Sequence, residues 1–472
     1  MHRALGLTEI VATIVETGSA SLDFLRSCLL VNKVFSHEAA RLIWKECGLG
    51  QAYISPQIGR LVKTLSENAQ RAQYYANFVQ TLCIIQNKRD IWQEHLSSLE
   101  FPRLKNFHLQ DTEMTGPPID LKDLALPYAQ GSLEEFSICK SSVLVISDCF
   151  LEILSSHTSP KLKKLRLFRL QHTTVSKDGL VRFLTNTNPL VELDISCLDK
   201  CWSQKAFQCI LLRFCNLVYL SLPDIPDDWI LSPSKNDTNV QPAFPNLRTL
   251  CVGVTEQGLE PLARNAPALE TLELSLQDHP PSPHILLAAA GFTKLRRLTI
   301  NFGQSSKIYG EDLLLLSQEC PCLTFLCIQS KKWGYPKGLD ISDNLIEEVA
   351  QNLTELTTLT ICIDPPSPLT QRAVYSVIRH CKDISYLHMS CDFNCRETVD
   401  GVPEFTSAKM LSMALLLNED GPIADANEEL ANRLRKRFVL LTPAMKYLYL
   451  QSRNWHWEIE IDPASSHIRD EY

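Results

Sequence analysis

A short pattern of apolar and polar positions recurs along most of the chain, in the form Leu-x-x-Leu-x-(Leu/Ile/Val). It reads PKLKKLRL at 160–167, PALETLEL at 267–274 and TKLRRLTI at 293–300. The first apolar positions of the full set are Leu104, Leu133, Leu162, Leu190, Leu217, Leu247, Leu269, Leu295, Leu323, Leu356 and Ile384. From 104 to 384 there are ten steps over 280 residues, a mean of 28 per step. The alternation inside each copy is typical of a short strand.

A helical pattern lies between successive copies. Leu180, Phe183 and Leu184 show the i, i+3, i+4 spacing of one buried helix face, and similar stretches occur near 259, 313 and 345. Each unit is therefore predicted to be a strand, a turn and a helix. The period lies within the range of about 20–29 residues that leucine-rich repeats show. Because one such unit cannot bury its own apolar face, the units are expected to stack. The predicted fold is an α/β curved solenoid with parallel strands on the concave side and helices on the convex side.

The repeats are not uniform. Residues 223–246 carry five prolines and predict an irregular loop in place of a helix. A weak unit is expected around Val79, Leu82 and Ile84, and a late one around Met445, Leu448 and Leu450. The 61-residue step from Ile384 to Met445 indicates a degenerate repeat or an insertion. Its segment 418–428 is acidic and predicts a mobile loop, whereas 455–461 predicts a terminal strand or cap.

The first residues of the chain do not share the repeat. Short helical patterns contain Ile10, Ile14, Leu25 and Leu29, and they predict a small helical module. The predicted organisation is a helical module at 1–47, a helical linker at 48–78, a solenoid at 79–395, an insertion or degenerate repeat at 396–440, and a last repeat with a C-terminal cap at 441–472.

Composition narrows the class of protein. Hydrophobic residues make up 45% of the chain and charged residues 21%, as in a soluble folded protein. The net charge of −8 argues against nucleic acid as the main partner. No apolar run is long enough to span a bilayer, and the N-terminus does not resemble a secretory signal. The 17 cysteines are interpreted as reduced thiols in a cytoplasmic or nuclear protein.

Catalytic and cofactor-binding patterns were also sought. The sequence contains no phosphate-binding glycine loop and no Gly-x-Ser-x-Gly turn. The nearest approach to a metal cluster is His380, Cys381, His388, Cys391 and Cys395, whose spacing matches no zinc pattern closely. Cys215, Cys320 and Cys381 precede repeat strands at similar offsets, which favours small apolar thiols in the turns. We therefore expect no metal, no cofactor and no active site.

The segment at 7–44, LTEIVATIVETGSASLDFLRSCLLVNKVFSHEAARLIW, resembles an F-box of the divergent type found in fungal proteins. The matching features are Leu7 and Glu9 at the start of the first helix, Ile14 at its end, the run from Leu25 to Lys33, Phe35, and Leu42-x-Trp44. The family's Leu-Pro opening is Leu7-Thr8 here. The remainder of the chain is similar to the leucine-rich repeats, of ribonuclease-inhibitor-like fold, that often follow an F-box.

The resemblance implies that the module binds the Skp-family adaptor of SCF ubiquitin ligases, and through it a cullin and a RING subunit. Three short helices do not need so many apolar residues for their own core, so some are expected to contact a partner. The residues expected to bind the adaptor are Leu7, Ile10, Ile14, Leu29, Val31, Phe35 and Trp44. The alternative is that this surface only caps the open end of the solenoid.

The repeats would then hold a protein target on their concave face. In each strand the residues that alternate with the leucines are expected to point outward. The residues predicted to bind the target are Lys164, Arg166, Phe168, Asp194, Tyr219, Glu273, Arg297, Phe325 and Tyr386. A basic cluster that could bind phosphate or an acidic segment consists of Lys161, Lys163, Lys164, Arg166 and Arg169. Acidic residues on adjacent units favour a salt-bridged face instead.

The sequence therefore predicts a non-catalytic substrate receptor of a cullin–RING ubiquitin ligase. In such a complex the adaptor and the target are held together, and catalysis by proximity belongs to other subunits. Two rival hypotheses remain: a leucine-rich-repeat interaction scaffold without an adaptor, and an enzyme or metal protein that uses the 380–395 cluster.

Overall fold

The structure of the 472-residue chain is a computed structural model. It describes residues 7–48, 56–86, 96–111, 118–158, 161–230, 242–276, 283–303, 306–330, 336–364, 369–391, 412–416, 447–451, 456–460 and 468–469. The chain divides into two compact units, unit 1 at Met1–Pro223 and unit 2 at Asp224–Tyr472. Within the described residues, no helix combines the length and the apolar composition that crossing a bilayer requires.

Unit 1 begins with helices and continues as alternating strands and helices. The first helices are α1 (Thr8–Thr17), α2 (Leu22–Cys28), α3 (Lys33–Ile43), α4 (Pro56–Glu67) and α5 (Ala69–Ala76). The strands are β1 (Glu46–Cys47), β2 (Thr81–Gln86), β3 (Asn106–Asp111), β4 (Ile119–Asp120), β5 (Glu135–Ile146), β6 (Lys164–Thr173), β7 (Glu192–Asp194) and β8 (Tyr219–Ser221). Further helices are Leu121–Ala125, Asp148–Thr158, Lys177–Asn186 and Gln204–Arg213, with 3-10 turns at Leu126–Tyr128 and Asp199–Cys201.

The strands of unit 1 form a parallel sheet in the order β1, β2, β3, β5, β6, β7, β8, with β4 pairing the far end of β5. One apolar residue of each strand lies opposite its counterpart in the next. This row consists of Leu82, Phe107, Phe136, Leu165, Leu193 and Leu220, all of them buried. Burial of each such side chain contributes about 1.5–3 kcal/mol, so the row holds the repeats in register.

Unit 2 repeats the arrangement. Its strands are β9 (Thr249–Val252), β10 (Thr271–Leu276), β11 (Arg297–Phe302), β12 (Lys307–Tyr309), β13 (Phe325–Ser330), β14 (Lys337–Leu339), β15 (Thr358–Ile361), β16 (Tyr386–Ser390), β17 (Ser412–Leu416), β18 (Tyr447–Gln451), β19 (His456–Glu460) and β20 (Ile468–Arg469). Its helices are Asp227–Ile230, Glu256–Asn265, Ile285–Ala289, Gly310–Glu319, Asp343–Asn352 and Gln371–His380.

The main sheet of unit 2 is parallel from β9 through β10, β11, β13, β15, β16 and β17 to β18. Buried leucines again lie opposite one another, at Leu250, Leu272, Leu298, Leu326, Leu359 and Leu387. A separate parallel pair joins β12 and β14. The predicted α/β fold of stacked leucine-rich repeats is thereby confirmed.

The end of the sheet resolves one ambiguity of the sequence. Strand β17 lies between β16 and β18 and pairs in parallel with both. The long step after Ile384 therefore contains a repeat strand, which the leucine pattern does not reveal at Ser412–Leu416. Strand β19, in the segment predicted to be a terminal strand or cap, pairs antiparallel with β18, and β20 pairs antiparallel with β19. The acidic segment 418–428 lies outside the described residues.

The proline-rich stretch 223–246 also differs in part from its prediction. Asp227–Ile230 forms one turn of helix there, and 231–241 lies outside the described residues. The carboxylate of Asp227 accepts a hydrogen bond from the Thr255 hydroxyl at 2.6 Å. Even this irregular repeat is thus linked to the helix that follows.

The same side-chain link joins other consecutive repeats. Asp148 accepts hydrogen bonds from the backbone N–H of Ser176 at 2.8 Å and from its hydroxyl at 2.6 Å, 28 residues along the chain. Asp343 accepts the equivalent pair from Thr370, at 2.8 and 2.7 Å. Ser176 and Thr370 are themselves N-cap residues of their helices. Each link therefore orients a helix start against the preceding repeat.

The N-terminal helices are fixed to the first strands. Trp44 stacks on Tyr75 of α5 with ring centroids 4.8 Å apart, and β1 pairs with β2 directly after the module. Gly48 follows β1 with φ +101°, and a Cβ atom at this position would lie 1.9 Å from the carbonyl oxygen of Cys83. Only glycine satisfies both the positive φ and the close approach.

We expect Gly48→Ala to lower the free energy of unfolding of unit 1 by about 3 kcal/mol, because it combines backbone strain with a steric clash. Urea denaturation would measure the change. Gly131→Ala is the matched control, since a Cβ atom there would meet nothing closer than 3.7 Å. Equal effects of the two substitutions would contradict the role assigned to Gly48.

Candidate functional site

The first candidate site is the surface of helices α1–α3, which have a core of their own. Buried Val11, Val15, Leu25, Cys28, Phe35 and Ala39 form this core, with Phe24, Val34, Leu42 and Ile43 packed around it. Capping fixes the helix starts: the Asn32 side chain accepts hydrogen bonds from the N–H groups of Val34 and Phe35. Arg41 connects α3 to α1 through Glu16 at 2.6 Å, and it also binds buried Glu38 at 2.7 Å.

A second set of apolar side chains on these helices points away from that core. Leu7, Ile10 and Ile14 follow one side of α1 and are 53%, 40% and 38% exposed. Beside them lies a groove of about 640 Å³, lined by Glu9, Ile10, Thr13, Ile14, Thr17, Gly18 and Phe24. Leu29 and Val31 are exposed in the turn between α2 and α3. Five of the seven residues predicted to bind the adaptor are therefore accessible.

The other two predicted residues are not accessible, and the prediction differs from the structure there. Phe35 is buried because it lies on the face of α3 that packs against Val11 and Leu25. Trp44 is buried because it stacks on Tyr75. Phe35 is thus part of the core of α1–α3, and Trp44 packs the module against α5.

Two further leucines of these helices are exposed but are not among the residues predicted to bind the adaptor. Leu30 is 88% exposed and Leu22 is 48% exposed. Leu30 belongs to the Leu29-Leu30-Val31 run, which resembles a buried segment by composition. The run becomes a surface feature because α2 ends at Cys28 and these residues fall in the following turn.

The second candidate site is the outward row of the unit 1 strands, here called the ladder face of unit 1. Its central residues are Lys164, Arg166 and Phe168 of β6, Glu192 and Asp194 of β7, and Tyr219 of β8. Glu192 binds Lys164 at 2.8 Å and also pairs with Arg166. The guanidinium of Arg166 lies over the Tyr219 ring, 5.3 Å from its centroid. The predicted basic cluster is therefore a salt-bridged face.

The two carboxylates of β7 have opposite pKa shifts. Burial raises the pKa of Glu192, but hydrogen bonds and charges from Lys164 and Arg166 outweigh it, and the net pKa is lowered. Burial dominates at Asp194 and raises its pKa, despite hydrogen bonds from Ser196 and Tyr219. Asp194 was predicted to point outward and be accessible, but it is only 3% exposed because these neighbours cover it.

Phe168 lies next along β6 and carries Arg169 over its ring, 4.8 Å from the centroid. Arg169 has φ +53°, a conformation that L-residues rarely adopt. The three predicted residues of β6 therefore lie on one ladder face, but Lys164 and Arg166 are engaged by Glu192 and Tyr219, and Phe168 is engaged by Arg169.

The third candidate site is the ladder face of unit 2, formed by the outward residues of the main-sheet strands β9, β10, β11, β13, β15 and β16. Arg297 of β11 lies over the Phe325 ring of β13 at 4.1 Å from the centroid. Tyr386 lies two strands farther on and contacts His388 edge to face. The Cys251 thiol donates a hydrogen bond to the Glu273 carboxylate at 3.9 Å. All four residues predicted in this unit lie in the outward rows.

One cysteine and one histidine side chain of unit 2, Cys362 and His388, lie close together. The Cys362 sulfur lies 3.5 Å from Nε2 of His388. Burial raises the pKa of Cys362 to about 12 and lowers the pKa of His388 to about 4. A thiol and a neutral imidazole of this kind do not provide a nucleophile at neutral pH.

The 380–395 cluster is dispersed among different contacts. Cys381 is buried at a helix end and directs its thiol to the carbonyl of Leu353 at 3.4 Å, as Cys320 does to Phe292. Cys215 is exposed instead, because Phe214 occupies the equivalent helix end. Cys395 lies outside the described residues. Within the described ranges, no three His, Cys, Asp or Glu side chains are grouped so that they could hold a metal.

No protein-family model and no curated protein matches the sequence. Among solved structures, the chain is similar to the yeast Rad7–Elc1 complex, with 14% identity, a TM-score of 0.45, and coverage of 88% of this chain and 87% of that one. It is also similar to a leucine-rich-repeat protein of Leptospira interrogans, with 14% identity, a TM-score of 0.40, and coverage of 81% and 91%. Neither likeness bears on partners or activity.

The opposite pKa shifts of Glu192 and Asp194 lead to a prediction. Glu192→Gln should lower the free energy of unfolding at pH 7 by about 1 kcal/mol, because solvent screens these half-exposed ion pairs. A lowered pKa contributes stability above the unfolded value of about 4.3, and this contribution is lost as the pH falls through the folded value. Urea denaturation at pH 7 and pH 3 should therefore show the difference disappearing in acid.

Asp194→Asn is the matched comparison on the same strand. Burial already disfavours the charged form of Asp194, and an amide keeps an acceptor for Ser196. We expect this substitution to leave the free energy of unfolding at pH 7 nearly unchanged. A larger loss for Asp194→Asn than for Glu192→Gln would contradict this account of the ladder face.

Proposed function

We propose that the protein is a substrate-recognition subunit of an SCF-type ubiquitin ligase. Helices α1–α3 bind the Skp-family adaptor, and the outward strand residues of the repeats bind a protein target. The chain itself is a non-catalytic receptor, and ubiquitin transfer is performed by the cullin-bound subunits. The observation that carries the proposal is the second apolar surface of the N-terminal helices, which coincides with a sequence that resembles an F-box.

That surface is more apolar than a simple cap requires. A terminal cap needs one apolar side toward the repeats and a polar outer side. Here Trp44 supplies the contact with α5, while Leu7, Ile10 and Ile14 remain exposed on α1. Full burial of such a side chain contributes about 1.5–3 kcal/mol, and since each of the three is already partly buried, a partner that covers it adds about half of that. A helix-lined apolar groove is the usual geometry for docking a helix of another protein.

The link between module and repeats suits a receptor. Strand β1 ends the module and is the first strand of the unit 1 sheet. Next to it, the His37 ring packs edge to face against Phe78 at 5.0 Å, and Nδ1 of His37 lies 3.0 Å from the Tyr74 hydroxyl. A firm junction would hold a bound target at a constant distance from the adaptor, which proximity-based catalysis requires.

The proposal predicts the effect of removing the apolar row. A variant with Leu7→Ser, Ile10→Ser and Ile14→Ser should fold normally, since these side chains lie outside the core, and should lose co-precipitation of the adaptor. Leu212→Ser is the matched control, because Leu212 is 84% exposed on a helix of the repeats. It should retain the adaptor fully.

Two outcomes would count against the receptor. Failure of the intact protein to bind any Skp-family adaptor would favour the scaffold hypothesis, in which the repeats act without a ligase. Retention of the adaptor by the triple variant would show that the apolar row is not the contact surface. Circular dichroism of each variant would show that its helices are intact.

A further inference from the structure

Two repeats of this protein carry nearly the same basic sequence but in different surroundings. PKLKKLRL at 160–167 belongs to unit 1, and TKLRRLTI at 293–300 belongs to unit 2. Aligned on their leucines, Lys163 corresponds to Arg296 and Lys164 corresponds to Arg297. The corresponding cations of the two repeats have different contacts.

In unit 1 two of these cations, Lys163 and Lys164, are paired with carboxylates of the neighbouring repeats. Lys163 binds Glu134 of the preceding repeat at 2.7 Å, and Lys164 binds Glu192 of the following repeat at 2.8 Å. These ion pairs compensate the positive charge of the repeat, so little of it remains for a ligand.

In unit 2 the corresponding carboxylates are replaced or already engaged. Phe325 occupies the position of Glu192, and Thr271 occupies that of Glu135. Glu270, equivalent to Glu134, pairs with Arg248 at 3.1 Å. Lys294, Arg296 and Arg297 are all exposed, and none of the three forms an ion pair with any residue in the described ranges.

The contact of Arg297 with Phe325 leaves its hydrogen-bonding edge accessible. The guanidinium carbon lies 4.1 Å from the ring centroid, so the interaction uses the flat face of the group. Arg297 is exposed, and a guanidinium can bind a carboxylate in bidentate geometry through its N–H groups. Stacking also holds the side chain in one position, which reduces the entropy lost on binding.

We propose that Lys294, Arg296, Arg297 and Phe325 form a binding site for an acidic protein segment rich in Asp and Glu. This acidic-segment site specifies the class of target for the receptor proposed above, and it rests on that function in assigning the segment to a target. The chemistry is complementary in charge, since the three cations are exposed and have no carboxylate partner in the described ranges. The occupant is assigned as protein because the receptor proposed above binds a protein target.

Binding of a fluorescein-labelled oligo-glutamate peptide to the full-length protein, followed by fluorescence anisotropy, tests the proposal. Arg296→Gln with Arg297→Gln should weaken binding about tenfold, because two charge-assisted contacts are lost. Arg264→Gln with Arg379→Gln is the matched control: these arginines lie on helices of unit 2 beside Glu260 and Glu347, outside the ladder face, and the affinity should be unchanged. An oligo-serine peptide should not bind measurably.

A second variant adds a charge instead of deleting one. Phe325→Glu places a carboxylate beside Arg297, as Glu192 lies beside Lys164. Because this carboxylate pairs with the guanidinium, the affinity for the peptide should also fall about tenfold. Phe325→Leu removes the stacking but adds no charge, and should weaken binding less. This order of effects separates charge recognition from general damage to β13.

Several results would overturn the acidic-segment site. These results are no binding of the peptide by the wild-type protein, equal binding by the Arg296/Arg297 variant, or an equal loss of affinity when Arg264 and Arg379 are changed. Adaptor co-precipitation with the same variants separates the two proposals. The Arg296/Arg297 variant is expected to lose peptide binding and to retain the adaptor. If the wild-type protein binds the peptide but captures no adaptor, the receptor function is wrong and the acidic-segment site stands.

Discussion

The stacking of one buried leucine on the next, strand after strand, is the interaction on which the rest of the structure depends. Parallel hydrogen bonding places Leu272, Leu298 and Leu326 directly opposite one another, and their burial makes any other register costly. Because side chains alternate along a strand, fixing the buried residue also fixes the outward ones. The ladder faces of both units are thus a consequence of core packing.

A fixed register makes equivalent positions comparable, and small changes at those positions alter the chemistry of the surface. Glu192 in unit 1 and Phe325 in unit 2 both lie beside a cation of the preceding repeat strand. The carboxylate neutralises Lys164 at 2.8 Å, whereas the ring supports Arg297 and leaves its charge uncompensated. Two repeats with similar sequences consequently present a closed ionic network and an open cationic site.

The N-terminal module illustrates a second consequence of packing. Its three helices close their core with Val11, Leu25 and Phe35, and its last residues enter the sheet through β1. Once these contacts are made, Ile10 and Ile14 have no partner within the core and remain on the surface. The same helices thereby join the repeats on one side and offer an apolar surface on another.

The local sequence determined the period, the strand and helix of most repeats, and the outward positions of the strands, because each depends on alternation within a few residues. It could not distinguish Phe35 from Ile10, since both are apolar residues on amphipathic helices and only the packing of α1 against α3 buries one of them. Nor did it reveal β17, which lacks the leucine pattern and is defined by pairing with β16 and β18. Whether a cation is paired depends on a residue roughly 28 positions away, so the tertiary structure alone decided that Lys164 is compensated and Arg297 is not.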